Sequence, residues 1–356
     1  MQINMPSCYI QEKNAISKIS QYLSWLRNEK VLIIMDEFTY NNFKVQVIEG
    51  LNRDKVEYII EQFSGECCNE NIDKLCEAAK VYEAKSIIGI GGGKVLDVAK
   101  VVAHCNSAKT IIVPTAASTD GPCSKISVLY EKDGKFKKYI ELNRNPEAVI
   151  VDLDIIVNAP IRLFKAGIGD ALATYFETEA GYEGQVEANG KSRMSITARV
   201  VSKQCYDIIM AYGYEAVRAV EEKVINEAVE AVVEAIIFLS CIGFENGSLG
   251  AAHAVANALS DGNNKCDLLH GEKVAFGTIV QILLQKKCGK SLIDVIKLSK
   301  KIGLPTSISD VGLDADNLQE FIEKLCEEGQ PMYNMKREYC NYDNISAAMR
   351  YTSNLE

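Results

Sequence analysis

Apolar residues in the first half of the chain come in short runs bounded by polar breaks. "KVLIIMDE" (30–37), "VEYIIEQF" (56–63), "KSIIGIGGG" (85–93), "KTIIVPT" (109–115) and "AVIVDLD" (148–154) read as buried strands. Helical patterns lie between them near 40–52, from about Asn71, and up to about His104. Strands alternating with helices predict βαβ units and a mostly parallel sheet. One interruption, "SKISVLYEKDGKFKKYIEL" (124–142), places two β-rich arms around Asp133-Gly134 and predicts a hairpin.

Beyond Pro160, a residue suited to the first turn of a helix, strand signals fade. Helical periodicity dominates there, as in "INEAVEAVVEAIIFLSCIGFEN" (225–246), where apolar residues recur at three and four. The expected fold is an α/β domain with a mostly parallel sheet over 1–159, then an all-α domain over 160–356. A chain of 356 residues exceeds what one core usually serves. No Pro/Gly/Ser-rich linker intervenes, so a tight boundary near 155–165 is expected, with a cleft between the halves as the ligand site.

Composition narrows the partners. A net charge of -9 disfavours nucleic acid or an anionic membrane, and favours a small neutral substrate. No run reaches the ~18 apolar residues of a membrane span. The twelve cysteines form no C-x-x-C pair, and "MQINMPSCYIQEKNAISK" lacks a secretory apolar core. Reduced thiols in a cytoplasmic protein are therefore expected.

"GIGGGKVLDVAK" (89–100) stands where a strand ends and a helix begins. Glycines there let backbone approach a phosphate, and the free N–H groups of the helix start attract the anion. The run is neither the Rossmann fingerprint, since Lys94 replaces the third glycine, nor a Walker A loop, since Ile88 and Val95 stand at its first glycine and its Ser/Thr. A tight strand-to-helix turn is the competing reading. In the following helix, Asp97, Lys100 and His104 should share a polar stripe while Val95, Val98 and Val102 point inward, which makes His104 a surface residue. Asp97, in the first turn, either favours the helix dipole or lies beside a bound cofactor. Asp36, after the strand "VLIIM", suits an adenosine ribose or an ordinary loop.

The chain has three histidines. Asp170, in "GIGDALATYFETEA", should open a helix as its N-cap. His253 lies among small residues in "LGAAHAVANALS", and His270 should begin a helix after the polar loop "SDGNNKCD". One carboxylate and two imidazoles suit Zn²⁺, with one coordination position left for water or substrate. Their long spacing forms no self-evident motif, so structural roles for all three remain equally open at this point.

Several motifs in order, "GIGGGKVLDVAK", "PTAASTDGPCSKISVLY", "RNPEAVIVD", "APIRLFKAGIGDALATYFE", "GAAHAVANAL" and "HGEKVAFGTIVQ", resemble the iron-containing alcohol dehydrogenase and polyol dehydrogenase family, in its glycerol dehydrogenase branch. The likeness runs from about Asp36 to "KIGLPTSISDVG" (301–312). It implies a dehydroquinate synthase-like architecture, with a nucleotide-binding domain before a helical metal-binding one. The implied activity is NAD- and zinc-dependent oxidation of glycerol or a related diol, in a homo-oligomer, with an octamer as the family pattern.

Residue by residue, the resemblance implies that Gly91, Gly92, Gly93 and Lys94 hold the pyrophosphate. Asp97, Thr115, Ser118, Ser124, Ile126 and Tyr130 would line the cofactor, and Asp36 would face the ribose. Asp120 would bind substrate hydroxyls from a loop on the nucleotide domain's side, while Asp170, His253 and His270 would bind the metal. Two departures bear on substrate choice. "HAVANA", with Ala256 and Asn257, stands where the family commonly shows "HAIHNG", and Leu268 and Leu269 replace frequent aromatic residues. "PTAASTDG" is also similar to sn-glycerol-1-phosphate dehydrogenase, and "HGEKVAFG" to dehydroquinate synthase, a lyase.

Overall fold

The computed structural model describes residues 2–187, 194–261, 266–287, 289–314, 316–327 and 330–355. Residues 262–265 of the polar loop, and Cys288, lie outside the described residues. The chain divides into two compact units, one of Asn4–Ala117 and Gly121–Ala159, the other of the residues from Pro160 onward with Ser118–Asp120 and the N-terminal residues up to Ile3.

The first unit is built on β1 (Tyr9–Glu12), β2 (Lys30–Met35), β3 (Glu57–Gln62), β4 (Ser86–Gly91), β5 (Lys109–Pro114) and β8 (Ala148–Asp152). They form a six-stranded sheet in the order β1-β8-β5-β4-β2-β3, every pair parallel. Register sets Ile33 of β2 opposite Ile60 of β3 and Ile88 of β4, and the run from Val31 to Met35 is wholly buried. Continuous apolar runs of this kind belong to parallel strands covered on both faces. β1 was not evident from hydropathy: its four residues, YIQE, are only half-buried at the sheet edge. β6 (Ile126–Tyr130) and β7 (Phe136–Glu141) pair antiparallel apart from the sheet, with Gly134 at φ 86° in their turn.

The helix Gly93–Cys105 departs from the expected polar stripe. His104 is exposed, but Lys100 is buried, with its ammonium donating to the carbonyls of Gly121 (3.1 Å) and Ile126 (2.5 Å) and lying 3.0 Å from Asp97 Oδ1. Carbonyl groups of the hairpin approach satisfy the charge that burial would otherwise penalise.

The second unit is helical and buries Phe176, Val255, Phe276 and Val280 in one core. One expectation fails locally. Asp170 does not open a helix but lies inside Ile161–Glu187. The nearby glycine does not break that helix because it serves close packing: a Cβ on Gly169 would lie 2.4 Å from the carbonyl oxygen of Gly271. The helical periodicity over 225–246 is realised as Glu227–Glu234, a π-helical turn Ala235–Leu239, and Ser240–Glu245. Among the described residues no helix is long and apolar enough to cross a membrane.

Candidate active site

Three helices bring Asp170, His253 and His270 together. Asp170 comes from Ile161–Glu187, His253 from Ala251–Asp261, and His270 is the first residue of His270–Leu284. One ligand atom from each lies within 4.8 Å of the others. The Nε2 atoms of His253 and His270 stand 3.6 and 3.5 Å from the same oxygen, Asp170 Oδ1. The side chains are 3%, 16% and 43% exposed in the order Asp170, His253, His270, so the cluster has a carboxylate floor and opens at His270. Backbone contact fixes the crossing of the first and third helices: a Cβ on Gly271 would lie 1.9 Å from the carbonyl oxygen of Ala166. Both glycines therefore hold Asp170 and His270 at ligand distance.

Burial alone would raise the pKa of Asp170, yet the two imidazoles beside it hold the carboxyl below the ordinary carboxylate range. Burial would lower His253, but the charges of Glu177 and Asp170 raise it well above the usual value. The pocket thus favours positive charge at the point where the three ligand atoms converge. A divalent cation satisfies that preference, and the O/N/N donor set fits one with an open coordination position.

Glu177, which sequence reasoning did not single out, completes this cluster. It is 1% exposed, and its Oε2 lies 2.8 Å from His253 Nδ1. Its position seven residues after Asp170, two turns along one helix face, is the sequence signal that could have found it.

Asp120 belongs with the helical unit and not, as expected, with the nucleotide-binding one. Its Oδ2 accepts a hydrogen bond from Ser240 Oγ at 2.8 Å, and Ser240 Oγ lies 2.8 Å from Thr174 Oγ1. This link to helical residues explains the placement. Burial, and then the nearby Asp170 charge, push the Asp120 carboxyl up to about 8.

In the other unit, Asp36, the Gly91–Lys94 turn and Thr115 follow the carboxyl ends of β2, β4 and β5, which are neighbours in the sheet. Such an edge is where open parallel sheets take nucleotides. Gly92 and Gly93 would meet nothing within 4 Å if given a Cβ, which leaves an open backbone approach at the start of the helix Gly93–Cys105. Lys94 Nζ pairs with Glu66 at 2.5 Å, and Thr115 N donates to Gly91 O at 3.1 Å. Asp36 Oδ1 accepts from Thr39 N at 2.7 Å and so caps the helix Glu37–Arg53.

The remaining predicted positions are placed as follows. Asp97 Oδ2 accepts from Val128 N at 3.2 Å. The Ser124 hydroxyl accepts from Ile126 N at 2.9 Å, while Ser118 is half-buried. Tyr130 N donates to Cys67 O at 2.8 Å, and burial pushes its phenol up to about 12.

Residues 10–160 match the profile described as iron-containing alcohol dehydrogenase. A glycerol dehydrogenase of Thermotoga maritima is 38% identical over 97% of this chain and 96% of its own length. A glycolaldehyde reductase of Halobacterium salinarum is 33% identical over 92% of this chain and 90% of its own. Among solved structures, a probable glycerol dehydrogenase from Sinorhizobium meliloti superposes with a TM-score of 0.88 at 32% identity, covering 99% of both chains. With likeness of this extent in sequence and fold, the chain belongs to the iron-containing alcohol dehydrogenase family, alongside its glycerol dehydrogenases.

Proposed function

We propose that this chain is an NAD-dependent dehydrogenase that oxidises glycerol, or a related vicinal diol, to the hydroxyketone (dihydroxyacetone from glycerol), reversibly. The observation that carries this reading is the convergence of Asp170, His253 and His270 on one point in a pocket that favours positive charge. Those three side chains would hold one Zn²⁺. When bound, the metal supplies a Lewis acid for the substrate hydroxyl and NAD supplies the hydride acceptor.

The chain's own residues do the positioning. The buried Asp170 contributes negative charge at the floor of the site, and His270 stands at its exposed side. Asp120, tied to Ser240, would orient substrate hydroxyls by hydrogen bonds. His104, the one histidine outside the cluster, is exposed on the helix Gly93–Cys105 and is given no part in the reaction, so the hydroxyl proton would leave through solvent or the cofactor ribose.

In the nucleotide-binding unit, the first-turn N–H groups of the helix Gly93–Cys105 would receive the pyrophosphate at Gly91–Lys94. Asp97, Thr115, Ser118, Ser124, Ile126 and Tyr130 would line NAD, and the Asp36 carboxylate would face the ribose. A cytoplasmic homo-oligomer, with an octamer as its expected form, completes the reading.

Ala256 is fully buried with Ala173, Ala252 and Val274. The replacement of the family's histidine by Ala256 would favour a diol less polar than glycerol. Steady-state NADH formation with glycerol, propane-1,2-diol and glycerol phosphate tests the proposal. Turnover of free diols, with kcat/KM for propane-1,2-diol at least equal to that for glycerol, is expected. Turnover of the phosphorylated substrate alone would contradict it.

A further inference from the structure

Beyond the three ligand side chains, we infer that Glu177 is a positioning residue that fixes the tautomer of His253, leaving Nε2 as the nitrogen with a free lone pair toward Asp170 and a metal. The inference rests on the metal-site reading above.

Each carboxylate oxygen of Glu177 has its own partners. Oε1 accepts the backbone N–H groups of Gly250 (2.8 Å) and His253 (2.9 Å). These groups open the helix Ala251–Asp261, where the first N–H groups have no partner within the helix. Gln281 Oε1 takes the N–H of Ala251 at 2.6 Å, so side chains from two other helices cap this start. Oε2 is left for His253 Nδ1 at 2.8 Å. An ionised carboxylate only accepts hydrogen bonds, so Nδ1 must carry the proton. In the neutral imidazole the lone pair then falls on Nε2, the nitrogen 3.6 Å from Asp170 Oδ1. Ligand histidines are commonly held in this way by a carboxylate behind them.

Glu177 is nearly inaccessible, at 1% exposed, and both oxygens are committed, so the carboxylate cannot swing away from the imidazole without uncapping the helix. Gly250 allows the approach, since a Cβ there would lie 3.3 Å from Glu177 Cγ.

Glu177→Gln separates the two roles. Its carbonyl oxygen can keep both backbone N–H groups, but its amide nitrogen then donates toward Nδ1 and drives the ring proton to Nε2. We expect the metal-stripped Glu177→Gln protein to keep the wild-type unfolding midpoint and NAD affinity while its Kd for Zn²⁺, measured by chelator competition, rises about 10- to 100-fold. Glu177→Ala, which removes the cap as well, should lower both stability and zinc affinity. Equal zinc affinity in wild type and a folded Glu177→Gln would overturn the inference and leave the metal site standing. A wild-type protein that binds no zinc would overturn the metal site and this inference together. Should Glu177→Gln fail to fold, histidine ¹⁵N NMR of the zinc-loaded wild type decides: Nδ1 protonated and Nε2 metallated on His253 supports the assignment, and the reverse overturns it.

Discussion

Ser240 Oγ donates to Asp120 Oδ2 at 2.8 Å across 120 residues of sequence. Thr174 Oγ1 lies 2.8 Å from the same Ser240 Oγ. Thr174 lies one turn after Asp170 on the same helix, and Ser240 immediately follows the π-helical turn. A short relay of hydroxyls thus connects Asp120 to the helix that carries the proposed ligand.

If Asp120 orients substrate, Asp120→Ala should retain zinc and NAD binding while kcat/KM for the diol falls by about 100-fold or more. Metal analysis and cofactor titration on the purified variant check this. Loss of zinc would place Asp120 among the ligands.

Lys100 should matter to the cofactor without touching it. Its ammonium holds the carbonyls of Gly121 and Ile126 and pairs with Asp97, all around the segment proposed to line NAD. Lys100→Met removes one member of a buried pair, a change that costs roughly 3–5 kcal/mol. Denaturant unfolding should show that loss, and NAD affinity should fall with it. Stability and NAD affinity unchanged from wild type would contradict the assigned role.

Cofactor choice should depend on Asp36. Its side chain caps the helix Glu37–Arg53 through Thr39, so Asp36→Ser keeps a capping oxygen and removes only the charge. The wild type should prefer NAD over NADP in kcat/KM, because a carboxylate at this strand end repels a 2′-phosphate, and the variant should narrow that preference. Comparable wild-type values for the two cofactors would refute the role.

Close packing sets the ligand geometry. A methyl group at Gly271 would sit 1.9 Å from Ala166 O and force the helices apart. Gly271→Ala is expected to cost roughly 3 kcal/mol and to lower zinc occupancy, measured by unfolding and elemental analysis. A variant as stable and metal-replete as wild type would show that the crossing is not constrained there.

The buried strands were legible because parallel strands covered on both faces require unbroken apolar runs, as in Val31–Met35. β1 was not, because an edge strand of four half-buried residues carries no such signature. Asp170 is legible as a metal-ligand candidate, but its place inside a helix is not, because an Asp is a favoured N-cap and the packing of Gly169 against Gly271 is a tertiary contact. Lys100 looked solvated because its carbonyl partners lie 21 to 26 residues away. Glu177 went unnoticed for the same reason, since its partners, Gly250 and His253, are brought to it only by helix packing.

If Asp170, His253 and His270 hold one catalytic metal, zinc content and dehydrogenase activity must move together, and both are measured in wild type, His253→Ala and His104→Ala. One zinc per chain in wild type and in His104→Ala, both active, with zinc and activity lost together in a folded His253→Ala, is the predicted result. Zinc retained in His253→Ala, or full activity in metal-free wild type, would contradict it.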